Sequence, residues 1–135
     1  RPSIVSAVSQ SNVVLVPIYN ELKCIHAGIH TIRELLPYNK NIVVVATKLV
    51  KRKGEAFKDW GDCEDAKNIK AVVDHAIGQG IPVLPLKFSR VFDAIFEQEL
   101  SIRQMMEKDA LARYTYRDVA AQFDTLLSYL EQHYA

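Results

Sequence analysis

"NIVVVATKLVKRKG" (Asn41–Gly54) is the stretch on which the reading of the whole chain turns. Ile42 to Ala46 run apolar without interruption, Thr47 and Lys48 follow, and Lys51, Arg52 and Lys53 come close behind. A strand with one wet face would show a polar residue at every second position. This run shows none, so it predicts a strand buried on both faces, the environment of a parallel sheet covered by helices. The block of positive charge then marks where the strand leaves the core.

Working outward, "NVVLVPIYN" (Asn12–Asn20) repeats the buried-strand pattern. The segment after it, "ELKCIHAGIHTIRELL", sets Leu22, Ile25, Ile29, Ile32 and Leu36 at helical steps. Beyond the basic loop, "CEDAKNIKAVVDHAIGQG" carries Ile69, Val72, Val73, Ala76 and Ile77 on one helical face, with Gly78 and Gly80 to stop it. "IPVLPL" (Ile81–Leu86) is a third short strand, and Pro82 and Pro85 place it at a sheet edge or near strand ends. Only helices follow. One spans "SRVFDAIFEQELSIRQMMEKD" with Ser89 as its cap, and the last spans "TYRDVAAQFDTLLSYLEQHY", with Thr115 as cap and Val119, Phe123, Leu126, Leu127 and Leu130 facing inward. Ile4, Val5 and Val8 give the opening "RPSIVSAVSQ" a helical spacing as well.

Strands alternating with helices imply parallel pairing through right-handed crossovers. The expected fold is α/β: a partial doubly wound parallel sheet of three recognisable strands flanked by helices, with a helical C-terminus and residues 1–135 in one domain. A three-stranded parallel sheet with two open edges is a poor unit on its own. The chain therefore reads as part of a longer protein.

With 17 basic and 16 acidic residues the formal charge is +1, so any electrostatic partner must meet a local patch and not a whole-surface field. No apolar run reaches the roughly 18 residues of a membrane span, and no secretory leader opens the chain. Cys24 and Cys63 lack CxxC spacing, which suits reduced thiols and a cytoplasmic location.

Ligands of open α/β sheets bind beyond the carboxyl ends of the strands. Here those ends are polar or basic: Tyr19, Asn20 and Glu21; Thr47, Lys48, Lys51, Arg52 and Lys53; Leu86, Lys87, Phe88, Ser89 and Arg90. Cations there suit a phosphate-bearing ligand or a nucleic-acid backbone. Solvated lysines in a loop balanced by Glu55, Asp59 and Asp62 are the plainer explanation. Neither GxxxxGK[ST] nor GxGxxG occurs, so the chain has no loop to cradle a triphosphate. Val50 stands where an NKxD motif would need its aspartate, which disfavours guanine.

The order of these segments resembles the C-terminal half of the ParA/MinD family, the P-loop ATPases that partition plasmids and position cargo. "VVLVPIYNELKCIHAGIHTIREL" is similar to the family's strand of "VLVP" type and the helix after it. "IVVVATK" is similar to its "VVLT" strand, and "IPVLPLKFSRVFDAIFEQ" to its "IP" strand and loop. The resemblance implies adenine beside Thr47 and Lys48, with Pro85, Leu86 and Lys87 as the opposite wall. It implies ATP and Mg in the intact parent, with no cofactor and no catalysis in this chain alone. The parent's phosphate-loop strand would pair alongside residues 12–18, and without it that edge is open to a homodimer or another partner. The loop after the second strand is longer and more basic than the family's, so Lys51, Arg52, Lys53 and Lys58 would touch nonspecific DNA or a partner protein.

His26 and His30 share a helix face beside Cys24, but no third metal ligand is assured, and a surface histidine pair is the plainer reading. Acidic neighbours Asp62 and Glu64 disfavour Cys63 as a nucleophile. Phe88, Phe92 and Phe96, and Met105 with Met106, read as core or interface; Trp60 reads as an anchor for the long loop. Two functions follow: the C-terminal part of a ParA/MinD-like ATPase, or a non-enzymatic flavodoxin-like module that binds protein or DNA.

Overall fold

The computed structural model describes residues 2–78, 80–87, 104, 106–107 and 110–134. The expectations placed on Phe88, Ser89, Arg90, Phe92, Phe96 and Met105 lie outside the described residues. The elements are α1 (Pro2–Gln10), β1 (Val14–Tyr19), α2 (Leu22–Leu35), β2 (Ile42–Leu49), a 3-10 turn (Trp60–Asp62), α3 (Glu64–Ile77), β3 (Val83–Lys87) and α4 (Ala110–Tyr134).

The strands lie in the order β1-β2-β3, and both pairings are parallel. This is the α/β layer that the unbroken apolar runs predict. The two crossovers step the same way across the sheet, so α2 and α3 share one face and pack on each other. Val16 and Ile18 of β1 and Val44 and Ala46 of β2 meet Ile25, Ile29, Ile32, Ile69 and Val73 there in the larger core. Each fully buried Ile or Val contributes about 1.5–3 kcal/mol relative to exposure, which holds both helices down. On the opposite face α4 covers Val45, Leu84 and Leu86 with Tyr116, Val119, Phe123, Leu126 and Leu130.

Backbone polarity alternates along the strands. Val14 N–H donates to the Asn41 carbonyl at 2.8 Å, and Val44 N–H donates to the Pro82 carbonyl at 2.9 Å. In a parallel ladder both backbone groups of a residue point the same way, and the side alternates residue by residue. Leu15, Pro17 and Tyr19 therefore turn their backbone to the open side of β1, and Val83, Pro85 and Lys87 to the open side of β3. Both strand prolines put their missing donor on an edge, where it breaks no ladder bond.

Four sequence expectations are corrected. β1 is buried on one face only: Leu15, Pro17 and Tyr19 are exposed, where its unbroken apolar run predicts cover on both faces. β2 does not finish in Thr47 and Lys48 but continues to Leu49 through a bulge. Its register runs from Ala46↔Pro85 to Leu49↔Lys87, three steps on β2 against two on β3. Lys48 takes up the extra residue with φ 52°, the one positive φ outside glycine among the described residues. The change of parity turns Leu49 into the larger core, where it is 1% exposed, and leaves Lys48 in solvent. Thr115 is not a cap, because α4 already begins at Ala110. The upstream Ala-Leu-Ala-Arg are good helix formers and outweigh the local cap signal. Leu127 is 54% exposed instead of inward. It lies roughly 100° around the helix from Leu126, and the sheet face takes only one of the two.

Candidate functional site

Parallel pairing brings the carboxyl ends of all three strands to one rim, with Tyr19 opposite Thr47 and Lys87 opposite Leu49. Three lysines there lie over aromatic rings. Lys48 Nζ is 4.4 Å from the Tyr19 ring centre, a contact the bulge makes by lifting Lys48 out of the strand. Lys87 Nζ is 5.3 Å from the Trp60 ring, and Lys51 Nζ is 5.8 Å from Phe57. Phe57 and Trp60 meet edge to face at 4.9 Å, and both pack against the larger core. The long basic loop is thus anchored by its aromatics, as read from Trp60.

A polar clip ties the same loop to α3 and β1. Asp65, 3% exposed, accepts from Arg52 Nε at 2.8 Å and lies 2.6 Å from Arg52 Nη2. Asn20 Nδ2 donates to the same carboxylate at 2.8 Å, and Asn20 Oδ1 accepts from Asn68 Nδ2 at 2.8 Å. The hydrogen bond and charge of Asp65 push the Arg52 guanidinium above its ordinary value. Glu55 accepts from the backbone N–H groups of Arg52 and Glu64, and these two bonds hold its carboxyl below the ordinary range. Cys63 caps α3 by accepting from Ala66 N–H at 3.4 Å, and burial pushes its thiol up, away from nucleophilic use.

An open groove of about 560 Å³ runs beside β3, between the 3-10 turn and α4, lined by Lys58, Trp60, Pro85, Asp118 and Gln122 among others. Lys87 bonds two of the lining residues: its N–H donates to Gln122 Oε1 at 2.6 Å, and its Nζ lies 3.4 Å from Asp118 Oδ2. Because that N–H fixes the amide orientation, Gln122 Nε2 is left as a buried donor with no partner among the described residues.

The residues picked from sequence fall into separate places. Thr47 and Lys48 stand at the end of β2, and Lys87 at the end of β3. Pro85 lines the groove, while Leu86 belongs to the smaller core. Lys51, Lys53 and Lys58 are exposed; Arg52 is spoken for by Asp65. Cys24 Sγ accepts from Tyr19 N–H, and His30 pairs with Glu34 at 3.0 Å. Among the described residues, no three His, Cys, Asp or Glu side chains converge as a metal site would require. No helix of the described residues is long and apolar enough to cross a membrane.

Asp65 and Gln122 escaped the sequence reading. Asp65 looks like an ordinary first-turn acid of a helix. Gln122 carried a signal, since a polar residue between Val119 and Leu126 sits on the buried stripe of α4. No family model, characterised protein or solved structure matches this chain.

Proposed function

We propose that this chain is the C-terminal part of a ParA/MinD-like ATPase for DNA partition or cargo positioning, and that its rim supplies the adenine-side contacts. The observation that carries the reading is the bulge at Thr47–Lys48, a backbone outlier at the carboxyl end of the central parallel strand. Strain of this kind costs about 1–3 kcal/mol and clusters at ligand sites. Thr47 and Lys48 form one wall of the base site, and Pro85, Leu86 and Lys87 form the other. ATP and Mg belong to the parent protein, whose phosphate loop lies outside this chain. Lys51, Lys53 and Lys58 are the exposed cations of the loop that meets DNA or a partner, and Arg52 holds that loop in shape.

Calorimetric titration of MgATP against this chain, and against a chain extended upstream through a GK[ST] loop, tests the reading. Binding in the extended protein that Lys48→Ala weakens is the expected result. Absence of binding in both overturns it. The second reading, a flavodoxin-like interaction module, is favoured by the edge of β1, which no strand pairs with among the described residues, and predicts no nucleotide affinity in either chain.

A further inference from the structure

Lys48 stands on the wrong side of the sheet for its place in the sequence. Ile42, Val44 and Ala46 enter the larger core, so an unbroken β2 would aim position 48 there as well. Tyr19 belongs to the other face, because Val16 and Ile18 of β1 enter the larger core and side chains alternate along a strand. The bulge exchanges two neighbours: Leu49 takes the core position, and Lys48, at φ 52°, carries its ammonium to 4.4 Å from the Tyr19 ring centre.

Tyr19 is a fixed support. Its N–H donates to Cys24 Sγ at 3.4 Å, its carbonyl accepts from Glu21 N–H at 2.8 Å, and it pairs with Thr47 in the ladder. Lys48 has no comparable anchor for its charge: among the described residues no carboxylate pairs with it, whereas Arg52 has Asp65 and Lys87 has Asp118. A lysine stem without support samples many rotamers and loses that freedom on meeting a ligand. A ring face in front of the ammonium fixes its direction in advance and leaves its charge whole.

We propose that Tyr19 is the positioning residue of Lys48: its ring sets where the Lys48 ammonium stands at the strand rim. Tyr19 acts through Lys48 and touches no ligand itself; the effect on nucleotide rests on the reading that places Lys48 in the base site. The ring carries the effect, so phenylalanine replaces Tyr19 and leucine does not. A carboxylate at position 19 would also hold the ammonium, but it would cancel the charge and take up the donors with which Lys48 meets a ligand's acceptors.

Nuclear Overhauser contacts read this position directly and without nucleotide. The wild-type chain should give cross-peaks between the Lys48 Hε protons and the Tyr19 ring protons, with the Hε resonances shifted upfield by the ring. Tyr19→Phe should keep that shift and Tyr19→Leu should lose it. In the chain extended upstream through a GK[ST] loop, Tyr19→Leu should weaken MgATP binding roughly twofold to fivefold, and Tyr19→Phe should retain it. Added to Lys48→Ala, Tyr19→Leu should weaken binding no further, which a merely structural role of Tyr19 would not produce. Absence of the cross-peaks in wild type, or a Tyr19→Leu loss of equal size with Lys48→Ala present, overturns the inference. An extended wild-type protein that binds no MgATP overturns the nucleotide reading instead, and the cross-peaks still decide whether Tyr19 sets Lys48.

Discussion

Arg52 Nη2 lies 2.6 Å from an Asp65 carboxylate that is almost wholly buried, although the two residues belong to different elements. The most basic segment of the chain therefore spends one of its charges inside the fold, where it joins the basic loop to the first turn of α3. Asn20 brings the end of β1 into the same contact. Removing Asp65 leaves Arg52 and Asn20 without their shared acceptor. Asp65→Ala is expected to cost about 1–3 kcal/mol, less than the ~3–5 kcal/mol of a fully buried broken pair because Arg52 is half in solvent. Urea unfolding followed by circular dichroism checks this, and a midpoint equal to wild type would remove the clip from any account of the loop.

Lys48 separates strain from contact. Its φ of 52° favours glycine, and β-branched residues resist it most. Lys48→Gly should leave stability unchanged or slightly higher, whereas Lys48→Val should lower it by about 1–2 kcal/mol. Lys48→Gly also deletes the cation over Tyr19, worth only about 0.5–1 kcal/mol at an exposed site. Thermal melts that rank valine above glycine would show that the bulge is not held in this conformation in solution.

Glu55 gives the chain an acid-sensitive joint. Its carboxyl is held below the ordinary 4.5 by the bonds it accepts from Arg52 and Glu64 N–H. A carboxylate whose folded value is depressed stabilises the fold fully above the unfolded value. That stabilisation fades as pH falls from about 4.5 through the lower folded value. Glu55→Gln accepts more weakly and does not titrate, so its melting temperature should lie below wild type at neutral pH and converge with it in acid. Parallel melting curves from neutral to acid pH would refute the linkage.

The parallel sheet was legible because its strands carry no polar face: Ile42 to Ala46 admit no other environment than cover on both sides. The edge position of β3 was legible from Pro85. The bulge was not, since "ATKLV" contains neither glycine nor asparagine to announce a left-handed residue, and only the burial of Leu49 explains why Lys48 accepts one. Thr115 misled because a cap signal is local, while helix length is set by what lies upstream. At the rim, Lys48 and Lys87 could be picked by position in the fold. Asp65 and Trp60 reach their partners through contacts between distant segments, which no spacing rule records.

Gly28 tests how closely α2 approaches the sheet. A Cβ built there would lie 2.4 Å from Ile18 Cδ1 and 2.6 Å from Ile18 Cγ1, and Ile18 is fully buried. Glycine in a helix interior ordinarily costs about 1 kcal/mol against alanine. Here the sign should reverse, because an added methyl must push α2 off β1, and overpacking costs about 1–3 kcal/mol. Shortening Ile18 should make room, so Gly28→Ala combined with Ile18→Val is expected to lose less than the sum of the two single changes. A double-mutant cycle in urea measures that coupling, and strict additivity would mean that the helix yields where these distances leave it no space.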